Sequence, residues 1–192
     1  MIVDSGMSFE EAIAGTGAPP DVIGNLCLLE VCYFSFDGKL HQGQLVVHRE
    51  LRQDMLEIFA LIKDTEFNVA KAMPIVRYGW SDELSMADNN SSAFNYRFIA
   101  GTERLSLHAV GRAVDINPCQ NPVFYKNGVS APPGASYDPA AAGTLHEKSP
   151  VVQLFTLRGW RWGGNFGHVR DYHHFEKAPL NVSVVPAASQ SR

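Results

Sequence analysis

Hydrophobic positions in this 192-residue chain change their period from segment to segment, and those changes mark its elements. CLLEVCYFSF, starting at Cys27, and LHQGQLVVH, starting at Leu40, are strand-like runs around Asp37-Gly38-Lys39, a turn signal that predicts a hairpin. From His48 to Lys63 the apolar residues Leu51, Met55, Ile58, Phe59 and Ile62 recur at three- and four-residue steps. That stripe predicts an amphipathic helix packed on a sheet. MPIVRYGW reads as a short strand, followed by a polar loop through Asp82, Asp88, Asn89 and Asn90 that leads into SAFNYRFIAG.

Residues 118–149 carry Pro118, Pro122, Pro132, Pro133, Gly134 and Pro139, too many breakers for regular structure. A long loop of this kind inside a compact domain commonly serves as a lid or a binding wall. Ser149-Pro150 is a helix start and Gly159 a helix stop around VVQLFTLR. WRWGG and DYHHFE then predict strands joined by a glycine-containing turn. At the ends, Gly15, Gly17, Pro19, Pro20 and Gly24 predict an irregular arm over residues 1–24, with order beginning near Asn25. One domain is expected over 25–180, with a flexible tail over 181–192.

Composition narrows the classes. Hydrophobic residues at 45% and charged residues at 19% are globular values, and a net charge of -4 offers no general attraction to nucleic acid or to an anionic membrane. No apolar stretch approaches the length of a membrane span, and the first residues lack a basic start followed by an apolar run, so no signal peptide is expected in the chain as given. The three cysteines are too few for a disulfide scaffold. Cys27 and Cys32 point to opposite faces of one strand, and with Cys119 they are expected to be small buried hydrophobes.

Two stretches carry the chemistry: SLHAVGRAVDINP, residues 106–118, and WGGNFGHVRDYHHFE, residues 162–176. They bring His108, Asp115, Asp171 and His174 into play, the inventory of a mononuclear zinc hydrolase site. Two His and one carboxylate can hold zinc with a position open for water, and the remaining carboxylate can take that water's proton. His108 and Asp115 are not the i, i+4 pair that a zinc-binding helix supplies, so their placement needs a turn, which Gly111 between them could allow. Asp115 lies between Val114 and Ile116, where an unpaired charge is costly. A metal would compensate it, as would backbone amides or Arg112. In a regular strand Asp171 and His173 share a face and His174 takes the other, whereas a bulge would bring Asp171 and His174 together. Local pattern leaves both open.

Both motifs resemble those of the D-alanyl-D-alanine carboxypeptidase and L-alanyl-D-glutamate endopeptidase family of zinc peptidases. The pattern Ser-x-His-x-x-Gly-x-Ala-x-Asp is met by Ser106, His108, Gly111, Ala113 and Asp115. An acidic residue ahead of a His followed by Phe-Glu is met by Asp171, His174, Phe175 and Glu176. The similarity extends upstream through MADNNSSAFNYR, to roughly residues 31–176 in all. The resemblance implies one zinc ion (Zn2+) per chain on His108, Asp115 and His174, with Asp171 as catalytic base. It implies that Arg97 stabilises the oxyanion or holds the substrate carbonyl, and that Ser106 orients the ligand shell. His173 then falls at a variable position, as a groove residue or a contact behind the ligands. Asp171, where the vancomycin-resistance branch carries Glu, looks more like the phage endolysin and L,D-endopeptidase branches.

The expected fold is therefore α+β, a single domain whose small antiparallel sheet carries the zinc, flanked by helices, with the 118–149 loop along the cleft. The implied partners are peptidoglycan stem peptides, cut at D-Ala-D-Ala or at a bond such as L-Ala-D-Glu, by a monomer. Such a substrate implies the periplasm, the cell envelope or phage-mediated release. The competing class is a zinc-containing binding module, as in the related hedgehog signalling domains; a metal-free wall-binding protein is a further alternative. An intact Asp171 favours the enzyme. Of Trp160 and Trp162, one is expected in the core and the other can line the cleft, with core packing the default for both. His146 and His168 are expected as solvated loop residues, and His41 and His48 as parts of the scaffold.

Overall fold

The computed structural model describes residues 1–167 and 169–179; the expected tail over 181–192 and His168 lie outside the described residues. The chain opens with a short strand, Ile2–Val3 (β1), and two one-turn helices, Phe9–Ala12 (α1) and Pro20–Ile23 (α2). Residues 1–24 are thus more ordered than the irregular arm expected from their glycines and prolines. Ser8 and Glu11 form a reciprocal cap on α1, each side chain accepting from the other residue's backbone N–H. The arm is also tied to distant residues. Asp4 lies 2.9 Å from His41 Nδ1 and accepts a 2.5 Å hydrogen bond from the Tyr33 hydroxyl, and Ser5 Oγ donates to Gln44 Oε1 at 2.6 Å. Anchors that far away in sequence leave no local pattern to read.

The expected hairpin forms from Leu26–Phe34 (β2) and Leu40–His48 (β3), and β1 adds to β3 in parallel. Cys27, Cys32 and Cys119 are free thiols, half-buried rather than fully buried. A 3-10 turn, Arg49–Leu51, leads into the expected helix, Arg52–Asp64 (α3). All five stripe residues, Leu51, Met55, Ile58, Phe59 and Ile62, are buried, in one core cluster with Leu29, Val31, Leu45 and Val47 of the hairpin. Full burial of each such side chain contributes about 1.5–3 kcal/mol before entropy is counted.

Two expectations fail in the next segment. After Lys71–Ala72 (β4), the stretch Ile75–Tyr78 is a 3-10 turn and not a strand. Pro74 starts it, and its carbonyl accepts from Arg77 N at 3.1 Å, closing a turn where a strand would need a neighbour. The expected polar loop contains a helix, Asp82–Ala87 (α4), whose N-cap Ser81 accepts from Leu84 N and whose first turn holds Asp82 and Glu83. Asn90–Ser91 (β5) pairs with β4.

The C-terminal half of the chain builds the site. Ala113–Asp115 (β6) is buried throughout. Val123–Phe124 (β7) and Ser130–Ala131 (β8) make a small hairpin within the otherwise irregular proline-rich loop. Pro150–Leu157 (α5) starts at Ser149, as its sequence predicts. Then come Arg161–Trp162 (β9), Arg170–Asp171 (β10) and His174–Glu176 (β11). β11 is the middle strand of an antiparallel sheet ordered β6, β11, β9, while β10 joins β7 and β8. Trp160 and Trp162 are both buried in the core. Phe175, fully buried, stacks on Phe155 of α5 with ring centres 3.8 Å apart. Its neighbours His174 and Glu176 therefore face away from that core.

Candidate metal centre

The chain leaves the hairpin region through Ser92, which exchanges backbone hydrogen bonds with Asp115, and reaches a 3-10 turn, Leu107–Val110. Ser106 caps this turn by accepting from His108 N at 3.2 Å, so its hydroxyl fixes the start of the segment that carries the imidazole. Gly111 ends the turn at φ +67°, and a Cβ there would lie 2.6 Å from His48 N and 2.7 Å from Leu26 Cδ2. Only glycine meets both demands. The turn predicted between His108 and Asp115 is therefore real and sets the angle at which the chain enters β6.

Asp115 and His174 are paired across β6 and β11. His174 Nδ1 lies 2.9 Å from Asp115 Oδ1 and 3.2 Å from His108 Nε2, and His108 Nε2 lies 3.2 Å from Asp115 Oδ2. A tetrahedral zinc with bonds of about 2.0–2.1 Å would set its donor atoms about 3.3 Å apart. The three residues can thus offer one donor atom each to a common point, all within 4.8 Å of one another.

The outward nitrogens decide the tautomers. His108 Nδ1 donates to the Ala93 carbonyl at 2.5 Å, and His174 Nε2 donates to Glu176 Oε2 at 3.3 Å, so in the neutral rings a metal requires the lone pairs sit on the inward nitrogens. Glu176 is in turn paired with Arg161 at 3.1 Å. Two imidazole lone pairs and a buried carboxylate converging on one point fit a borderline-soft divalent cation such as zinc. The local field agrees. Burial opposes an imidazolium at His174, yet Asp115 and Glu176 outweigh it and push its pKa up to about 10, so the site favours positive charge. Burial likewise opposes charge on Asp115, but His108 and His173 hold its carboxyl well below the usual range. Of the other compensations open to Asp115 from its sequence, Arg112 is engaged with Glu50.

The choice between His173 and His174 resolves through a break in the strand. Tyr172 and His173 form a turn between β10 and β11, so strict alternation does not apply and His174, not His173, joins Asp115. Asp171 sits beside this group. Burial raises its pKa, but His173 and then His174 lower it more, and the net carboxyl pKa is below the ordinary value. Gly163 passes so close that a Cβ on it would lie 2.3 Å from the Asp171 carbonyl oxygen and 2.9 Å from its Cβ. The Trp-Gly-Gly turn is therefore a backbone wall against Asp171.

Arg97 pairs with Asp82 at 3.0 Å, and its Nε is buried without a hydrogen-bond partner among the described residues. Burial pushes the Tyr125 phenol up, with Asp171 and Asp82 adding and Arg97 subtracting, so Tyr125 lies within electrostatic reach of each of the three. Sequence reasoning assigns nothing to Tyr125, nor to the Ala93 carbonyl. Phe98, Leu105 and Val129 are exposed on two hairpins, one rooted at Arg97 and Ser106, the other at the partner strand of Asp171.

Residues 100–177 match a family model described as D-alanyl-D-alanine carboxypeptidase. The family read from the two motifs is borne out over the stretch that contains both of them, and it is a family of peptidases. His108, Asp115, Asp171 and His174 all lie inside the matched segment; Arg97 lies just ahead of it, as does the upstream similarity read from residue 31. No match was found among curated proteins or among solved structures.

Proposed function

We propose that the chain is a zinc-dependent peptidase that hydrolyses amide bonds in peptidoglycan stem peptides. The observation that carries this reading is the convergence of His108, Asp115 and His174 beside a further, half-buried carboxylate, Asp171, within the matched segment. Zinc, when held by the three donors, would supply Lewis acidity toward the scissile carbonyl and the attacking water. Asp171, whose carboxyl pKa lies below the already acidic ordinary value and which is ionised at neutral pH, accepts the proton of that water and passes it to the leaving amine. Arg97 holds the carbonyl oxygen as negative charge develops on it, once substrate competes with Asp82 for the guanidinium.

The exposed apolar residues Phe98, Leu105 and Val129, on hairpins rooted next to Arg97 and Asp171, offer apolar contacts to a peptide. The bond is one of two types, D-Ala-D-Ala at a chain end or a mixed-chirality bond such as L-Ala-D-Glu. Muropeptides incubated with the wild type and with Asp171→Ala, then analysed by mass spectrometry, test the reading. We expect new termini from the wild type alone, with zinc retained in the variant. A zinc-loaded wild type that cuts no muropeptide would leave a non-catalytic zinc module, and product patterns unchanged by Asp171→Ala would remove Asp171 as base.

A further inference from the structure

His173 is 4% exposed, and neither the zinc donors nor the proposed chemistry uses it. Its two ring nitrogens are nevertheless both committed. Nδ1 donates to the Asn121 backbone carbonyl at 2.7 Å, and Nε2 lies 3.0 Å from Asp171 Oδ1. That oxygen is buried and has no aligned hydrogen bond among the described residues, and the imidazole nitrogen stands 3.0 Å from it. The Asn121 end is rigid. The Asn121 side chain donates to the carbonyls of Ile116, Asn117 and Gly143 and accepts from Leu145 N, which ties both arms of the proline-rich loop to the end of β6. His173 O also accepts from Ile116 N at 3.0 Å, so its backbone is pinned to the same strand.

We infer that His173 is a positioning residue for Asp171: anchored on the Asn121 carbonyl, its imidazole holds one carboxylate oxygen and leaves the other turned toward the attacking water. The inference rests on the peptidase reading above. A purely structural histidine would need only the Asn121 contact and would not place its second nitrogen on Asp171, the carboxylate assigned to the attacking water. Gly163 packs against the backbone and Cβ of Asp171 and so fixes the root of its side chain, while His173 stops the carboxylate from rotating. A base so held keeps its geometry between turnovers, which matters because small misplacements of a reacting group are expensive.

The test uses the zinc-loaded full chain. His173→Leu removes the donor and keeps an apolar side chain in a buried place; His173→Gln keeps an N–H able to reach Asp171. We expect kcat of His173→Leu to fall on the order of 10–100-fold with KM little changed and one zinc retained, and His173→Gln to recover most of the loss. Nuclear magnetic resonance of 15N-labelled protein supplies a readout independent of cleavage: the His173 Nε2–H signal should be present in the wild type and shift in Asp171→Asn. If His173→Leu cleaves like the wild type, or loses KM alone, or if Asp171→Asn leaves the imidazole signal unmoved, the inference is wrong. If instead the wild type cuts nothing while the imidazole signal does respond to Asp171→Asn, the peptidase reading fails and the contact stands.

Discussion

Asp115 and His174 stand opposite one another on β6 and β11, with Oδ1 and Nδ1 2.9 Å apart. Their separation is set by strand pairing, and Phe175, stacked on Phe155, keeps β11 from slipping by one residue. A slip would turn His174 into the core and Phe175 into the site. Two of the three donors are therefore placed by the sheet itself, and the third by a capped turn ending at Gly111.

Metal retention should reflect this placement directly. Asp115→Ala and His108→Ala are expected to lose stoichiometric zinc after dialysis without chelator, while Asp171→Ala keeps it. In the wild type, free zinc at about one hundred times its Kd should raise stability by about 2.7 kcal/mol over the chelated protein, read by calorimetry. No shift in melting temperature on adding zinc would contradict the site.

The chelated protein should also lose stability with rising pH. Despite burial, Asp115 and Glu176 raise His174 to about 10, and Asp171 and Asp115 raise His173 to about 9. Groups whose pKa is raised on folding contribute fully below their ordinary value of about 6.5, and the contribution disappears as pH climbs through the folded values. The melting temperature of the chelated protein is thus expected to fall between about pH 6.5 and 10. With zinc bound, His174 Nδ1 is occupied and the fall should shrink. A chelated protein whose melting temperature rises over this window would show the field of the site to be misjudged.

Glu176 should matter to the metal without touching it. It accepts from His174 Nε2 and is held by Arg161, so Glu176→Gln loosens the orientation of one donor and lowers its basicity. Zinc affinity is expected to fall by about 10–100-fold, the usual effect of losing such an outer partner. Competition with a chromophoric chelator measures it, and an unchanged Kd would assign Glu176 to surface pairing alone.

Two glycine substitutions should separate scaffold from chemistry. Gly111→Ala adds a Cβ against His48 N and Leu26 and forces an unfavourable φ, so it should destabilise the fold by more than about 1 kcal/mol and weaken zinc binding through His108. Gly163→Ala instead pushes on Asp171. Turnover should drop while zinc stays, and equal effects of the two variants on zinc would mean that the Trp-Gly-Gly wall serves the metal donors instead.

Legibility in the sequence tracks the range of the interactions. The α3 stripe, the β2–β3 hairpin and the Ser149 cap are local and readable. The α4 helix has a local signal too, Ser81 followed by Asp82 and Glu83, masked by the polar look of the segment. The β1 arm is not readable, because Asp4 is held by Tyr33 and His41, and the 3-10 turn at Ile75 passes for a strand because four apolar-rich residues fit either form. At the site, periodicity alone favours His173 beside Asp171. That contact exists, at 3.0 Å, but the turn at Tyr172 and His173 lets His174 reach Asp115 as well. The motif resemblance supplies the choice that the alternation rule cannot make.

The central place of β11 also bears on the order in which the protein is made. His108 and Asp115 emerge from the ribosome first, and His174 comes several seconds later at about 5–20 residues per second. Until β11 slides between β6 and β9 there is no third donor and no sheet to hold the first two in register. If the group holds zinc, a chain without β11 lacks one of the three donors, and the step that completes this sheet is also the one that completes the donor set.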